Sequence, residues 1–160
     1  MRDKKQTIGF DCYIELEWLE YTAKCASQGK ARDELSEDLD NYLASYIKGA
    51  VSVSKTKGIL LGIWANPMLN NKQFTETAIE IYREADKQER LVLHWGLAIA
   101  RFPFFTAVIR QIGRLNRLQG NIHSSELVRR CVEEYGDREA IRRSATRILK
   151  SLHEWGVLSQ

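Results

Sequence analysis

The chain has 160 residues, 44% of them hydrophobic and 28% charged, and a formal net charge of +3. These values sit in the ordinary globular range and allow one real core, or two small helical units sharing one. Only two prolines, no Ser/Gly/Pro tract and three cysteines without a CxxC pair argue against a long flexible linker, a disulfide framework or a zinc knuckle.

The charge is unevenly spread. Residues 101–160 carry eleven Lys+Arg against six Asp+Glu, a local balance of +5, whereas residues 1–100 hold thirteen against fifteen. An acidic first part is thus joined to a basic last part, which points to a polyanionic partner docked on one end. A solvated basic helix surface is the plainer alternative. The start, MRDKKQTIGFDCY, is charged and lacks the apolar core of a secretory signal, so a cytoplasmic protein with reduced cysteines is expected.

In chain order, residues 11–27 set Ile14, Leu16, Trp18, Leu19 and Tyr21 among Glu15, Glu17 and Glu20. This predicts a helix, although the alternation in YIELEWLEY also suits a strand. Asp33 or Ser36 is expected to cap a second helix, in which Leu35, Leu39, Leu43 and Ile47 recur every four residues and Gly49 marks the end. Residues 54–64, SKTKGILLGIW, read equally as a short buried helix or a strand, closed by Asn66-Pro67. A further helix is predicted over 75–87, with Ala78, Ile79, Tyr82 and Ala85 on one side.

The most membrane-like stretch, LVLHWGLAIARFPFF over 91–105, is interrupted by His94, Arg101 and Pro103. It falls short of the roughly 20 apolar residues of a spanning helix, so a buried core helix over 91–102 is expected and no membrane partner. These first hundred residues offer no site and read as a helical bundle or a support for the basic end.

The last third is patterned more sharply. Pro103 suits the first turn of a helix; Phe105, Val108, Ile109, Ile112 and Leu115 trace an apolar face, and Gly120 closes it. After an extended Asn121-Ile122-His123, a helix over 124–135 turns Leu127, Val128, Cys131, Val132 and Tyr135 inward. Gly136 and a capping Asp137 then introduce a final helix over about 138–155. It buries Ile141, Ala145, Ile148, Leu149, Leu152 and Trp155, leaving Arg142, Arg143, Thr146, Arg147 and Lys150 outward.

Three helices, the second and third joined by a Gly-Asp turn, have the order of a helix-turn-helix. A helix can enter the major groove, where arginine forks bond guanine, while other cations pair with phosphates and release counterions. Arginine outnumbers lysine ten to one over 101–160, and its planar fork suits phosphate and guanine better than an ammonium.

GNIHSSELVRRCVEEYGDREAIRRSATRILKSLHEWGVLSQ, residues 120–160, resembles the winged helix-turn-helix superfamily. The resemblance implies a short first strand at 121–123, a second helix at 124–135, a recognition helix at 138–155 and entry into the wing at Trp155-Gly156-Val157-Leu158. With 103–119 as the first helix it covers about 55 residues. The chain stops at Gln160, too soon for a two-stranded wing, so a vestigial or truncated wing is expected, or a fold that serves packing. The layout also resembles small accessory proteins of bacterial defence islands, which pair a helical N-terminal part with a winged-helix end.

The expected fold is therefore mainly α: an acidic helical support or assembly region over 1–102, then a basic winged-helix-like three-helix unit over 103–160. The expected function is non-enzymatic binding of double-stranded DNA, as a regulator or an accessory component of a larger DNA-acting system. Arg142, Arg143, Thr146, Arg147 and Lys150 are the candidate contacts, with Arg138 in the first turn of the reading helix. Arg110, Arg114 and Arg117, at i, i+4 and i+7, would extend the basic surface. Arg129 and Arg130 can instead pair with Glu133 and Glu134 along their own helix. A homodimer would present two half-site helices, and other protein components are further candidate partners.

No cofactor or metal is expected. His94, His123 and His153 lack HxxxH or HExxH spacing, and His94 beside Trp95 reads as a packed core histidine. No Gly-rich phosphate loop and no GxSxG occurs, and Trp18, Trp64, Trp95 and Trp155 read as core anchors. The rival reading is a helical adaptor that binds an acidic protein through the same basic face. An enzyme with dispersed catalytic residues would require a deep pocket of clustered, strongly shifted acids.

Overall fold

The computed structural model describes residues 7–66 and 69–159. Over these residues the chain forms eight α-helices and no strand, and it divides into two compact units. One comprises residues 14–101. The other joins residues 7–13 to residues 102–159. Of the charged start, residues 1–6 lie outside the described residues, as does Pro67 of the expected Asn66-Pro67 break.

The first unit holds α1 (Leu16–Ser27), α2 (Arg32–Leu43), α3 (Ala50–Trp64), α4 (Leu69–Glu84) and α5 (Lys87–Arg101). α3 packs against the other four. That position explains the ambiguous run GILLGIW. Ile59, Leu60, Leu61, Ile63 and Trp64 are all buried, and a helix apolar on every side belongs in the middle of a bundle. With no strand nearby to satisfy its backbone, the segment closes its own hydrogen bonds as a helix. Gly49 opens α3 at φ 95, a conformation that favours glycine.

Several predicted boundaries move. α1 begins at Leu16 rather than at residue 11. α2 starts at Arg32, before both expected caps, and the Ala31 N–H donates to the Glu34 carboxylate at 3.3 Å. It ends at Leu43, so Ile47 follows in a turn, its N–H bonded to the Leu43 carbonyl at 2.8 Å. The single helix expected over 75–87 is cut by a reciprocal cap. Asp86 accepts the N–H groups of Gln88 and Glu89 at 2.8 and 2.9 Å, and Glu89 accepts that of Asp86 at 2.8 Å. This capping box satisfies N–H groups at the start of α5 that would otherwise have no partner. No single helix among the described residues is long and apolar enough to cross a membrane.

The second unit contains α6 (Pro103–Gln119), α7 (Ser124–Tyr135) and α8 (Glu139–Glu154), with α7 packed on both neighbours. Pro103 is at the head of α6, and Gly120 closes it at φ 71. The segment Asn121-Ile122-His123 is irregular rather than a strand, and no second strand is present among the described residues to pair with it. Arg138, not Asp137, is the N-cap of α8.

At its other end α8 finishes in a Schellman motif: Val157 N–H bonds the Leu152 carbonyl at 3.0 Å, and Gly156 N–H bonds that of His153 at 3.1 Å. Gly156 has φ 75, the left-handed conformation that this cap requires. Trp155-Gly156-Val157-Leu158 thus terminates α8.

Residues 7–13 belong to this unit rather than to the first, which corrects the expected division at residue 102. The reason is Phe10. Its fully buried ring stacks on Phe105 at 4.9 Å and meets Phe102 and Trp155 edge-on at 5.5 and 6.5 Å. Gly9, at φ 66, passes so close that a Cβ there would lie 3.0 Å from Phe102 Cδ1. Arg147 Nη1 donates to the Asp11 carbonyl at 2.5 Å and ties the same segment to α8.

Replacing a fully buried phenylalanine by alanine removes apolar burial and leaves a cavity, costing about 3–5 kcal/mol. Phe10→Ala is expected to lower the stability of this unit by that amount, read from chemical unfolding followed by Trp155 fluorescence.

Candidate nucleic-acid interface

α8 segregates its residues sharply. Ile141, Ser144, Ala145, Ile148, Leu149, Ser151 and Leu152 are buried. On a wheel of about 100° per residue they span one half of the helix, and Arg142, Arg143, Thr146, Arg147 and Lys150 span the other, while Arg138 precedes the helix as its N-cap. Arg142, Arg143 and Lys150 are exposed; Arg138, Thr146 and Arg147 are half-buried.

These side chains are not equally available. Arg142 is held by Asp137, its Nη2 lying 2.7 Å from the carboxylate and its Nε donating at 2.8 Å. Arg143 Nη2 lies 3.6 Å from Glu139 Oε1. The Thr146 hydroxyl donates to the Arg142 carbonyl at 3.0 Å, so it faces its own helix. Arg147 spends one N–H on the Asp11 carbonyl. Lys150 has no carboxylate within ion-pair distance among the described residues. With Arg147, Tyr13, Ile122 and His153 it lines an open cleft of about 900 Å³.

The α6 row behaves differently. Arg110, Arg114 and Arg117 are exposed and lack ion-pair partners among the described residues. The nearby acid, Glu134, accepts from the buried Gln111 amide and, at 2.8 Å, from the Tyr135 hydroxyl. Burial, followed by this bond, pushes the Tyr135 phenol up to about 12. A smaller hollow bridges α6 and α8, but Asn116 lines it on the α6 side. Asn116 stands roughly 100–160° around the helix from the three arginines. The α6 row and the cleft on α8 therefore occupy different edges of the unit, rather than one continuous ridge.

α7 is internally neutralised. Arg129 bonds Glu126 at 2.7 Å and Glu133 at 2.5 Å, and Arg130 bonds Glu126 at 3.1 Å. Hydrogen bonds from these guanidiniums hold the Glu126 carboxyl below the usual range. The expected pairing with Glu133 is present. Glu126, from the first turn, is the partner common to both arginines.

Sequence reasoning missed a second cluster, in the first unit. His94 is fully buried; Trp64 Nε1 donates to its Nδ1 at 3.0 Å, and its Nε2 lies 2.8 Å from Glu20 Oε1. An indole N–H can only donate, so the His94 proton sits on Nε2 and points at Glu20. The Tyr82 hydroxyl bonds the other Glu20 oxygen at 2.7 Å, and the Arg90 guanidinium lies 4.4 Å above the Tyr82 ring. Burial raises the Glu20 carboxyl, but hydrogen bonds from His94 and Tyr82 and the charge of Arg90 outweigh it, holding Glu20 below the usual carboxylate range. Trp64, His94, Glu20 and Tyr82 are linked by hydrogen bonds to one another, which is the pattern of a structural network. The expected core role of His94 holds; its polar partners lie 30 and 74 residues away, beyond the reach of any local spacing.

A carboxylate whose pKa falls on folding stabilises the protein above its unfolded value and loses that contribution as pH drops through the folded value. Glu20→Gln is expected to cost about 1–2 kcal/mol near neutrality. The gap to wild type should close as urea unfolding is repeated from about pH 7 down to about pH 3.

Comparison with protein families, with curated proteins and with solved structures yields no match.

Proposed function

We propose that the second unit binds double-stranded DNA through the outward face of α8, without catalysing a reaction on it. The observation that carries this reading is the arc on which Arg142, Arg143, Arg147 and Lys150 share one side of a helix whose other side is buried. Arg142 and Arg143 are paired, but both they and their carboxylate partners are about half exposed or more. Exposed pairs of this kind contribute only about 0–1 kcal/mol, so phosphates can displace the acids at little cost. Arg147 keeps donors free beyond the one it gives to Asp11, since a guanidinium carries five. Arg110, Arg114 and Arg117 would add phosphate contacts from a separate edge and orient the unit along a duplex.

One observation favours the rival reading, a helical adaptor that binds an acidic protein through the same face. Among the described residues there is no strand. The two readings part on nucleic acid. The adaptor retains no labelled duplex even at low salt.

The test is fluorescence anisotropy of labelled duplex across a salt titration, comparing wild type with the triple variant Arg142→Gln/Arg143→Gln/Lys150→Gln. Arg147 is left intact because it anchors residue 11. Each neutralised phosphate contributes about −0.9 to the slope of log K against log salt, so the variant should bind more weakly with a slope flatter by about 2–3. Equal affinity and slope in both proteins would reject this face as the reader.

A further inference from the structure

The cleft beside α8 has features that backbone phosphate binding does not use. Arg147 and Lys150, one turn apart on α8, put two cations on its wall. No carboxylate lines it among the described residues. Tyr13 and Ile122 supply an aromatic ring and a branched apolar side chain, a surface against which a flat ring can lie. Ile122 and His153 also line the adjoining hollow of about 330 Å³, where Asn116, Asn121 and His123 add amide and imidazole groups. The cleft thus runs from a cationic end, past an apolar wall, to groups able to donate and accept.

His153 stands at the junction of the two. Its Nδ1 is shut off from solvent and has no hydrogen-bond partner among the described residues. A buried polar atom without a partner costs about 1–3 kcal/mol, and ordered water, strain or a ligand can account for it. Arg147 is the most fixed of the cations because the Asp11 carbonyl holds one arm of its fork, and a fixed guanidinium suits an oxyanion better than a mobile one.

We propose that this cleft binds a nucleotide, with the phosphate on Arg147 and Lys150, the base against Tyr13 and Ile122, and the base edge toward His153 and the asparagines. A bare anion would leave the apolar wall and the amide end unused. A volume of about 900 Å³ falls in the usual range of about 300–1,000 Å³ for small-molecule sites. The same chemistry is offered by a free nucleoside monophosphate and by the 5′-phosphorylated end of a strand. The proposal shares Arg147 and Lys150 with the proposed duplex face but requires the cleft and not Arg142 or Arg143.

Isothermal titration calorimetry on the intact chain decides it, using common nucleoside 5′-monophosphates, the matching nucleosides and orthophosphate. At least one monophosphate should saturate, with its nucleoside and orthophosphate each at least about tenfold weaker, the loss expected when one charge-assisted contact or the ring contact is missing. Lys150→Glu, on an exposed side chain, should weaken the monophosphate at least about tenfold. His153→Phe should weaken it severalfold, with an unchanged circular dichroism spectrum in both variants. Arg142→Gln/Arg143→Gln should leave it unaffected while weakening duplex.

A short single strand bearing a 5′-phosphate that binds more tightly than the free monophosphate assigns the site to strand ends; the reverse order assigns it to free nucleotide. Either supports the proposal. It is overturned if no monophosphate saturates, if orthophosphate binds as tightly as the monophosphates, or if Lys150→Glu binds as wild type does.

Discussion

The burial of Phe10 is the interaction on which the basic unit depends. Its ring touches the N-cap of α6, the first turn of α6 and the residue that caps α8, so a segment remote in sequence joins the start of one helix to the end of another. Burying such a ring contributes roughly 1.5–3 kcal/mol, with about 0.5–1.5 more for each well-placed aromatic pair. The placement of Asp11 and Tyr13 follows. Once Phe10 is seated, residue 11 can offer its carbonyl to Arg147, and residue 13 can form one wall of the cleft.

The charges of the unit sort by what surrounds them. On α7 the acids and bases alternate at helical spacing and cancel one another. Near the amino end of α8, Asp137 and Glu139 pair with Arg142 and Arg143 and favour the positive pole of the helix; Arg147 and Lys150 form no ion pair among the described residues, and Glu154 stands at the carboxyl end. The result is a helix whose first turns are nearly neutral and whose later turns carry two cations outside any ion pair among the described residues. Net charge over residues 101–160, the first clue in the sequence, is therefore a poor guide to where a polyanion would sit. Local pairing decides that, and it favours the later turns of α8 and the exposed row on α6.

Much of the helical architecture was legible because its signals are local. Pro103, Gly120, Gly136 and the apolar spacing of α7 and α8 fix those helices to within a residue. The misplaced boundaries failed for physical reasons. The Asp86–Glu89 box is a local signal that was overlooked within an otherwise continuous helical pattern. The apolar run of α3 was ambiguous because burial on all sides erases periodicity. The end of α8 reads the same whether or not a strand follows, because Gly-Val-Leu forms a Schellman cap in either case.

The candidate site was legible in part. Its residue types and their shared face came from helical spacing alone. What spacing could not give were the long-range placements that set each residue's surroundings: Asp11 bonded to Arg147 across 136 residues, or Tyr13 and Lys150 lining one cleft. The same limit applied to Glu20, Tyr82, Trp64 and His94, which meet only after the chain has folded.

Arg147 shows why such a long-range contact matters for chemistry. A guanidinium on an exposed helix would reach a phosphate only after losing rotamer freedom, up to about 1.5–2 kcal/mol for a long side chain. Bonded to the Asp11 carbonyl, Arg147 has already given up much of that freedom during folding, and its remaining donors stay available. Lys150, one turn on, has no such tether and keeps its mobility, so it can follow an anion but not fix its orientation. A rigid fork beside a mobile ammonium is better suited to holding one phosphate in a defined place than to sliding along many. For that reason the cleft, rather than the outer arginines, is where selectivity in this unit should reside.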